Sequence, residues 1–390
     1  MHRASLITFV LLCAQLTAGQ QPQGRFYPEK DSYMLGEPLF FNMEVKNTGK
    51  GAVGLGPNNP ANCVDEYDFL VQREGSGSCS TSWNAQCGRD FINLQSGESY
   101  SVGWPLEMWY TIRKLGLYHV TISYRGKTVI SGQALDYNFS SKFDIQVVAA
   151  DDQRMQEVLQ KFERELQSND PDVHHRALDV MSSVSSPYFY DTILRLARDK
   201  DAFNVLHAIG ALRRMNTPDG RAALAEIIEN RQPNSPDELT ARESAIQALG
   251  ESGDTSYLPL IASHTEESEP NVQLAAMIAV AQLSRDTAAS ELQRFLFSSN
   301  PVTRKNAAYG LRFAVSRSAV EVLIGALADK DAAVRDRVLT SLQQLTGRPA
   351  DTSESALSLS ELQNRWRRWW QQNSSKASLQ EVADFFCKVE

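Results

Sequence analysis

Residues 170–181 read DPDVHHRALDVM, and the same pattern returns at residues 300–311 as NPVTRKNAAYGL. Both copies open with a side chain that caps a helix and a proline that fits the first helical turn. The pattern occurs six times, with steps of 31, 37, 31, 31 and 31 residues between equivalent positions. These positions, which we name the anchors, are Ala177, Ala208, Ala245, Ala276, Ala307 and Val338. This regularity indicates an internal repeat.

Apolar residues recur at fixed distances from the anchors. One position after them stand Leu178, Ile209, Ile246, Met277, Ala308 and Leu339. Four positions after them stand Met181, Leu212, Leu249, Val280, Leu311 and Leu342. Sixteen positions after the first five stand Ile193, Leu224, Ile261, Leu292 and Leu323. The first two sets predict the buried stripe of one helix, and the third predicts a second helix in each unit.

Repeated pairs of helices bury their apolar stripes only by stacking, which predicts a solenoid. The 170–346 region resembles the HEAT-repeat family, in its short bacterial form with units near 30 residues. The resemblance implies six repeats in a right-handed α-helical solenoid. The longer step places six extra residues around Gln232 to Glu238, where Ser235 and Glu238 have the spacing of a capping box. We expect a loop insertion or a longer first helix there.

Residues 20–149 follow a different pattern, in which apolar residues alternate over short runs between glycine-rich turns. Such alternation predicts half-buried strands, and their number predicts a β-sandwich. Residues 33–48, YMLGEPLFFNMEVKNT, and residues 116–120, GLYHV, resemble bacterial immunoglobulin-like domains. That resemblance implies a tyrosine-corner contact for Tyr118. The fold class is therefore an all-β domain of immunoglobulin-like sandwich type followed by an all-α solenoid.

Both ends of the solenoid carry segments that are predicted to close it. Residues 150–169 form a linker and a capping helix, which covers the first apolar face of the stack. Residues 347–390 form a Trp-rich helical cap. Its first helix ends near Asn373 and its second runs from Ser378 to Phe386. The apolar face of the first of these helices is formed by Leu362, Trp366, Trp369 and Trp370.

The amino terminus has the pattern of an exported protein. Residues 1–19 combine a short basic start, an apolar run and small residues before Gln20, which predicts a secretory signal peptide. The alternative, a lipoprotein attached through Cys13, is disfavoured because Leu12 stands where a small residue is needed. We therefore expect a periplasmic or extracellular protein. No later stretch is long and apolar enough to predict a transmembrane segment.

Export changes how the cysteines are interpreted. Removal of the signal peptide leaves Cys63, Cys79, Cys87 and Cys387 as disulfide candidates in an oxidising compartment. Four cysteines allow three pairings. Proximity in sequence favours one bridge among the first three, Cys79 with Cys87 or Cys63 with Cys79. No two of them have the two-residue spacing of a structural zinc site, so we expect no metal.

Catalytic motifs are not found in the sequence. It has no phosphate-binding glycine loop, no nucleophile elbow and no zinc-protease helix. The neighbouring His174 and His175 point in different directions on a helix, and we interpret them as solvent-facing. A formal net charge of -8 argues against nucleic acid as a partner. The sequence thus predicts a protein that is not an enzyme and uses no cofactor.

The leading functional hypothesis is a scaffold of the bacterial cell envelope or exterior that binds another protein or a peptide. Second helices generally line the concave side of a solenoid, which makes Arg195, Glu226 and Arg294 candidates for the binding surface. One alternative is a protease inhibitor that acts through the sandwich segment 74–93, interpreted as an irregular loop. A second alternative follows from resemblance alone, because some HEAT-like proteins are lyases that attach bilins to phycobiliproteins.

Overall fold

The computed structural model describes residues 22–55, 65–85, 92–231, 234–381 and 387–389. The predicted signal peptide, Cys13, Cys63 and Cys87 lie outside these residues. The chain divides into two compact units, with the boundary between Ala150 and Asp151. Unit 1 comprises the residues up to Ala150 and, in addition, the extreme carboxyl terminus. Unit 2 contains all the helices of the repeat region.

Unit 1 is built from strands. They are β1 (Gln23–Pro28), β2 (Ser32–Met34), β3 (Phe40–Lys46), β4 (Val53–Leu55), β5 (Asp65–Arg73), β6 (Ser78–Ala85), β7 (Ile92–Leu94), β8 (Ser99–Pro105), β9 (Tyr110–Ile112), β10 (Gly116–Ile130), β11 (Gln133–Val148) and β12 (Cys387–Val389). One sheet has the order β1-β3-β8. A larger sheet has the order β2-β11-β10-β4-β7, with β5 and β6 attached through β10. The last strand, β12, pairs in parallel with β9.

The two larger sheets share one aromatic core. Phe41 of β3 packs against Phe69 of β5, with ring centroids 5.8 Å apart, and Trp104 of β8 lies 6.0 Å from Tyr67. The alternating residues of β3, β5 and β10 supply the buried side chains, as their period of two predicted. The hydroxyl of Tyr118 donates to the carbonyl of Lys114 at 2.8 Å, which is the predicted corner contact. The strand-rich character is therefore confirmed, and the immunoglobulin-like relationship stays a prediction.

The segment 74–93 differs from the irregular loop that we expected. Residues 78–85 form strand β6, which pairs antiparallel with β5 so that Trp83 faces Tyr67 across the ladder. Ser82 donates a hydrogen bond to Asp68 at 2.6 Å on the exposed side of the same ladder. Small residues concealed this strand, because its serines alternate with Cys79, Thr81 and Trp83 rather than with aliphatic residues.

Unit 2 stacks pairs of helices. The first helices of the pairs are α2 (Pro171–Ser183), α4 (Ala202–Met215), α6 (Pro236–Glu251), α8 (Pro270–Ser284), α10 (Pro301–Gly310) and α12 (Ala332–Thr346). The second helices are α3 (Tyr190–Ala197), α5 (Pro218–Asn230), α7 (Leu258–Ser263), α9 (Ala288–Leu292) and α11 (Arg317–Ala326). The predicted caps are present: Asp170, Asp201, Asn300 and Asp331 each accept a hydrogen bond from the first turn of the helix that follows.

Most of the extra residues of the long repeat lie in its helices. Helix α6 begins nine residues before its anchor Ala245, against six residues for α2 and Ala177. Ser235 caps α6 by accepting from the backbone of Glu238 at 3.2 Å. The longer first helix, one of the two alternatives expected here, is therefore confirmed.

The predicted apolar columns form the core of the array. All six anchors have no exposed surface, and neither do Met181, Leu212, Leu249, Leu311 and Leu342 four positions later. The second-helix column is at most 1% exposed. The exception is Leu339, which is only half-buried.

The ends of the array are closed by further helices. Helix α1 (Asp152–Leu166) buries Met155 and Phe162. Helix α13 (Leu359–Asn373) has no exposed surface at Trp366, and its Gln363 donates to the carbonyl of Gly325 in α11 at 2.8 Å. The predicted helix from Ser378 to Phe386 is wrong over residues 378–381, which are irregular, while residues 382–386 lie outside the described residues.

Candidate functional site

The three residues predicted to form a binding surface do not come together. Arg195 pairs with Glu163 of α1, Arg198 pairs with Glu226 at 3.0 Å, and Arg294 pairs with Glu266 at 2.9 Å. Each pair joins neighbouring helix pairs along the layer of second helices. These side chains therefore form separate bridges between repeats, and their role in binding stays a prediction.

The two adjacent histidines differ in their surroundings. His175 is exposed as expected, but His174 is half-buried. Its Nδ1 lies 2.8 Å from the carbonyl oxygen of Leu166 and its Nε2 lies 3.4 Å from Oδ1 of Asn204. His174 thus joins α1 to α4, and the solvent-facing interpretation is wrong for this residue. Both partners come from neighbouring helices, so the contact depends on how the helices pack and not on the local pattern.

The described residues contain no group of three or more His, Cys, Asp or Glu side chains arranged to hold a metal ion. Within the same part of the chain, no helix is long and apolar enough to cross a membrane.

The layer of first helices is packed more closely than the layer of second helices. A Cβ atom added at Gly250 of α6 would lie 2.7 Å from the Cα of Ala279 in α8. One added at Gly310 of α10 would lie 3.0 Å from the Cβ of Met277. First helices thus touch through backbone and methyl groups at these two points, and the contacts between neighbouring first helices are more extensive than those between neighbouring second helices. Since a stack curves towards its more closely spaced layer, we infer that the first helices form the inner side.

The exposed face of the first helices carries a row of half-exposed side chains, which we name the inner strip. Its members stand two positions before, two after or six after an anchor, a spacing that places them on one helix face. They are Asp179, Leu206, Glu243, Leu274, Ile278, Tyr309 and Phe313. Because the first helices pack side by side in chain order, the strip crosses the array from α2 to α10.

Apolar side chains of the inner strip lie on either side of Glu243. Leu206 on α4 and Leu274 and Ile278 on α8 are half-exposed, and α6, which carries Glu243, lies between those two helices. Single apolar side chains are normal on a surface, and several on one face form an apolar surface with a carboxylate at its centre. At one end, Tyr309 and Phe313 meet edge to face at 5.4 Å, and the guanidinium of Arg337 lies 4.6 Å from the centre of the Tyr309 ring.

Burial destabilises the ionised form of two carboxylates in the inner strip. Burial raises the pKa of Glu243, whose Oε1 accepts a 3.3 Å hydrogen bond from Gln247. Burial also raises the pKa of Asp179, against the opposing effect of His207 and His175. Carboxylates that are desolvated without a close cation destabilise a fold, and such groups cluster at functional sites.

The inner strip combines two kinds of surface chemistry. Its apolar members offer surface for apolar side chains, and its carboxylates offer partners for cations. Sequence reasoning missed these residues because they stand in polar or variable columns of the repeat. Their common spacing from the anchors was the available signal.

Among the candidate disulfide residues, Cys79 is disulfide-bonded. It lies in β6 opposite Val71 and packs against the edge of the aromatic core of unit 1. Cys63 and Cys87 lie outside the described residues, and only the backbone of Cys387 is described.

A family model described as HEAT repeats matches residues 233–312. Unit 2 is an array of HEAT-like repeats. The match covers helices α6 to α10, and the six anchors extend the same pattern over the rest of the HEAT-like array. A search of curated proteins found no match.

Several solved structures resemble the chain weakly. A chain of the complex of CpcE and CpcF of phycocyanin lyase from Nostoc sp. PCC7120 is 16% identical, with 48% of this chain and 82% of that one covered and a TM-score of 0.32. Human deoxyhypusine hydroxylase in complex with glycerol is 16% identical, with 57% and 98% covered and a TM-score of 0.30. A chain from a structure on microtubule plus end tracking by XMAP215, CLIP-170 and EB1 is 16% identical, with 47% and 89% covered and a TM-score of 0.33. Likenesses at these TM-scores carry no functional argument.

Proposed function

We propose that the protein is a non-enzymatic scaffold whose HEAT-like array binds an extended segment of a partner protein along the inner strip. The observation that carries the proposal is the combination, on one face of adjacent helices, of half-exposed apolar side chains with two desolvated carboxylates. Repeat arrays of this kind commonly serve protein interaction, because stacking produces one extended surface from many short helices.

The chemistry of the inner strip selects the kind of segment. Glu243 lies on α6, between Leu206 on α4 and Leu274 on α8. A lysine or arginine side chain placed there would supply the cation that this buried carboxylate lacks, while its neighbours in the segment would cover the leucines. The partner segment is therefore basic and apolar in composition.

A photo-crosslinking experiment tests the location of this surface. A photoreactive amino acid at Ile278 of the inner strip is compared with one at Glu229, an exposed residue of a second helix. The proposal predicts crosslinks to a defined partner segment from position 278 and none from position 229. Equal crosslinking from both positions, or crosslinking from unit 1 alone, contradicts it.

A matched pair of substitutions tests the chemistry of the partner. Binding of the crosslinked segment, made as a labelled peptide, is measured by fluorescence anisotropy. Glu243→Gln is expected to weaken binding about tenfold or more, since it removes a charged hydrogen-bond acceptor. Glu226→Gln, in the layer of second helices, is expected to change binding less than twofold. A peptide that contains no basic residue would also refute the proposed chemistry.

We further propose that the protein acts outside the bacterial cytoplasm, in the cell envelope or beyond it. The amino-terminal pattern of residues 1–19 and the disulfide bond of Cys79 support this location, because disulfides persist in oxidising compartments. Amino-terminal sequencing of the protein purified from its host tests it: a mature chain that begins at Gln20 is expected, and a retained Met1 contradicts export through this signal.

A further inference from the structure

The strand register restricts which cysteine can be the disulfide partner of Cys79. Cys79 lies opposite Val71, and six residues further along the same ladder Asp65 lies opposite Ala85. An extended strand rises about 3.3 Å per residue, so these two points of the ladder are roughly 20 Å apart. The ladder therefore fixes the positions of Asp65 and Ala85 relative to Cys79.

Neither Cys63 nor Cys87 can reach Cys79 from those points. Cys63 precedes Asp65 by two residues and Cys87 follows Ala85 by two residues. Two residues span at most about 7 Å, which leaves more than about 10 Å between the Cα atoms, whereas a disulfide requires less than about 7 Å. Both pairings that sequence proximity favoured are thus excluded by the pairing of β5 with β6.

The carboxyl-terminal strand brings the remaining cysteine to the same place. In the pairing of β12 with β9, Cys387 lies opposite Tyr110. The Tyr110 hydroxyl donates to the carbonyl oxygens of Phe69 at 3.0 Å and of Cys79 at 3.2 Å. Strand β12 also packs against β6 itself. The backbone therefore places Cys387 beside the strand that carries Cys79.

We propose that Cys79 and Cys387 form a disulfide bond that fastens the carboxyl-terminal strand to unit 1. The two thiols lose two protons and two electrons, and an oxidising disulfide, such as that of a thiol oxidoreductase or of oxidised glutathione, accepts them and becomes two thiols. The bond closes the chain between residues 79 and 387 into a covalent loop that includes the whole HEAT-like array. Unit 2 is thereby joined to unit 1 through both of its ends.

Peptide mapping of the unreduced wild-type protein tests the pairing directly. Trypsin cleaves after Arg73 and Arg89, which leaves Cys79 and Cys87 in one peptide, so chymotrypsin is added to cleave after Trp83. The proposal predicts a linked species that contains Cys79 and Cys387. A linkage of Cys79 to Cys63 or Cys87, or an unlinked Cys79, overturns it.

A cleavage experiment tests the covalent loop. A specific protease site is inserted between Ala150 and Asp151, and the cut protein is run on denaturing gels. One band is expected without reductant and two bands with it. Two bands without reductant overturn the proposal, because a bond within residues 63–87 cannot hold the two fragments together.

Single cysteine substitutions show which cysteine becomes a free thiol when its disulfide partner is removed. Cys387→Ser is expected to make Cys79 reactive towards a maleimide, located by mass spectrometry. In the control Cys87→Ser, Cys79 is expected to stay unreactive. The reverse result, in which Cys79 becomes reactive only in the Cys87→Ser protein, overturns the assignment.

Discussion

At the scale of single residues, the inner strip shows how a side chain can serve binding at the expense of stability. Glu243 is partly buried on the exposed face of α6, and this burial raises the pKa of its carboxyl. A glutamate chosen for stability alone would point to solvent or pair with a nearby arginine, as Glu251 does with Arg213 in the same layer. Proteins tolerate such destabilised groups where function requires them.

This trade-off gives a pH-dependent prediction. A carboxyl whose pKa is raised by folding stabilises the fold below its ordinary value of 4.5, and that contribution is lost as the pH rises through the raised value. Glu243→Gln is therefore expected to increase the free energy of unfolding at pH 7, by up to about 1 kcal/mol. Near pH 3.5 the difference from wild type is expected to vanish.

Urea denaturation at the two pH values measures this effect. Glu229→Gln, at an exposed position of α5, is the control and is expected to leave the free energy of unfolding within about 0.5 kcal/mol of wild type. Destabilisation by Glu243→Gln at pH 7 would show that the carboxylate is satisfied in the fold and would remove the electrostatic argument for the inner strip.

At the scale of elements, the close contact of the first helices depends on missing side chains. The anchors are mostly alanines, and glycines stand where α6 meets α8 and where α10 meets α8. Glycine in a helix costs about 1 kcal/mol relative to alanine, so its presence at these points reflects the space between the helices rather than helix propensity.

A pair of glycine substitutions separates the effect of the space between helices from the effect of helix propensity. Gly250→Ala places a Cβ 2.5 Å from that of Ala279 and is expected to lower the free energy of unfolding by about 1–3 kcal/mol through overpacking. At Gly325 of α11 no atom lies within 4 Å of the added Cβ, so Gly325→Ala is expected to raise the free energy of unfolding by up to about 1 kcal/mol. Thermal and urea unfolding of both variants distinguish them. A stabilising Gly250→Ala would contradict the close spacing of the first-helix layer.

At the scale of the whole molecule, a repeat array must end without leaving an apolar face in water. Helix α13 meets this need at the carboxyl-terminal side of the array. Trp366 is fully buried there, the guanidinium of Arg348 lies 4.2 Å from the centre of its ring, and Arg348 forms a 2.6 Å ion pair with Glu354. Arg367 and Arg368 of the same helix are exposed.

The cap predicts a large effect for one tryptophan. Trp366→Ala is expected to cost about 3–5 kcal/mol of unfolding free energy, because it leaves a cavity under α13. Phe297→Ala is the control, since Phe297 is 85% exposed and its loss is expected to cost less than about 0.5 kcal/mol. Unfolding followed by circular dichroism measures both. Equal, small effects would show that α13 is not part of the cooperative array.

The repeat helices could be predicted from the sequence, whereas the inner strip could not. The helix pairs, their caps and their buried columns follow from spacing, because a helix repeats every 3.6 residues and a stacked unit must bury the same positions each time. The inner strip does not follow from spacing alone, because the position of a residue on a helix face does not show how closely the next helix packs.

What the sequence determined by itself is therefore local and periodic: six repeats between Asp170 and Thr346, alternating strands before them, and capping helices at either end. What only the tertiary structure decided depends on contacts between residues far apart in the chain. Strand β6 was hidden until its pairing with β5 was seen, and β12 was hidden until its pairing with β9, more than 270 positions earlier, was seen. The physical reason is that a strand gains its hydrogen bonds from a partner, whereas a helix forms its own.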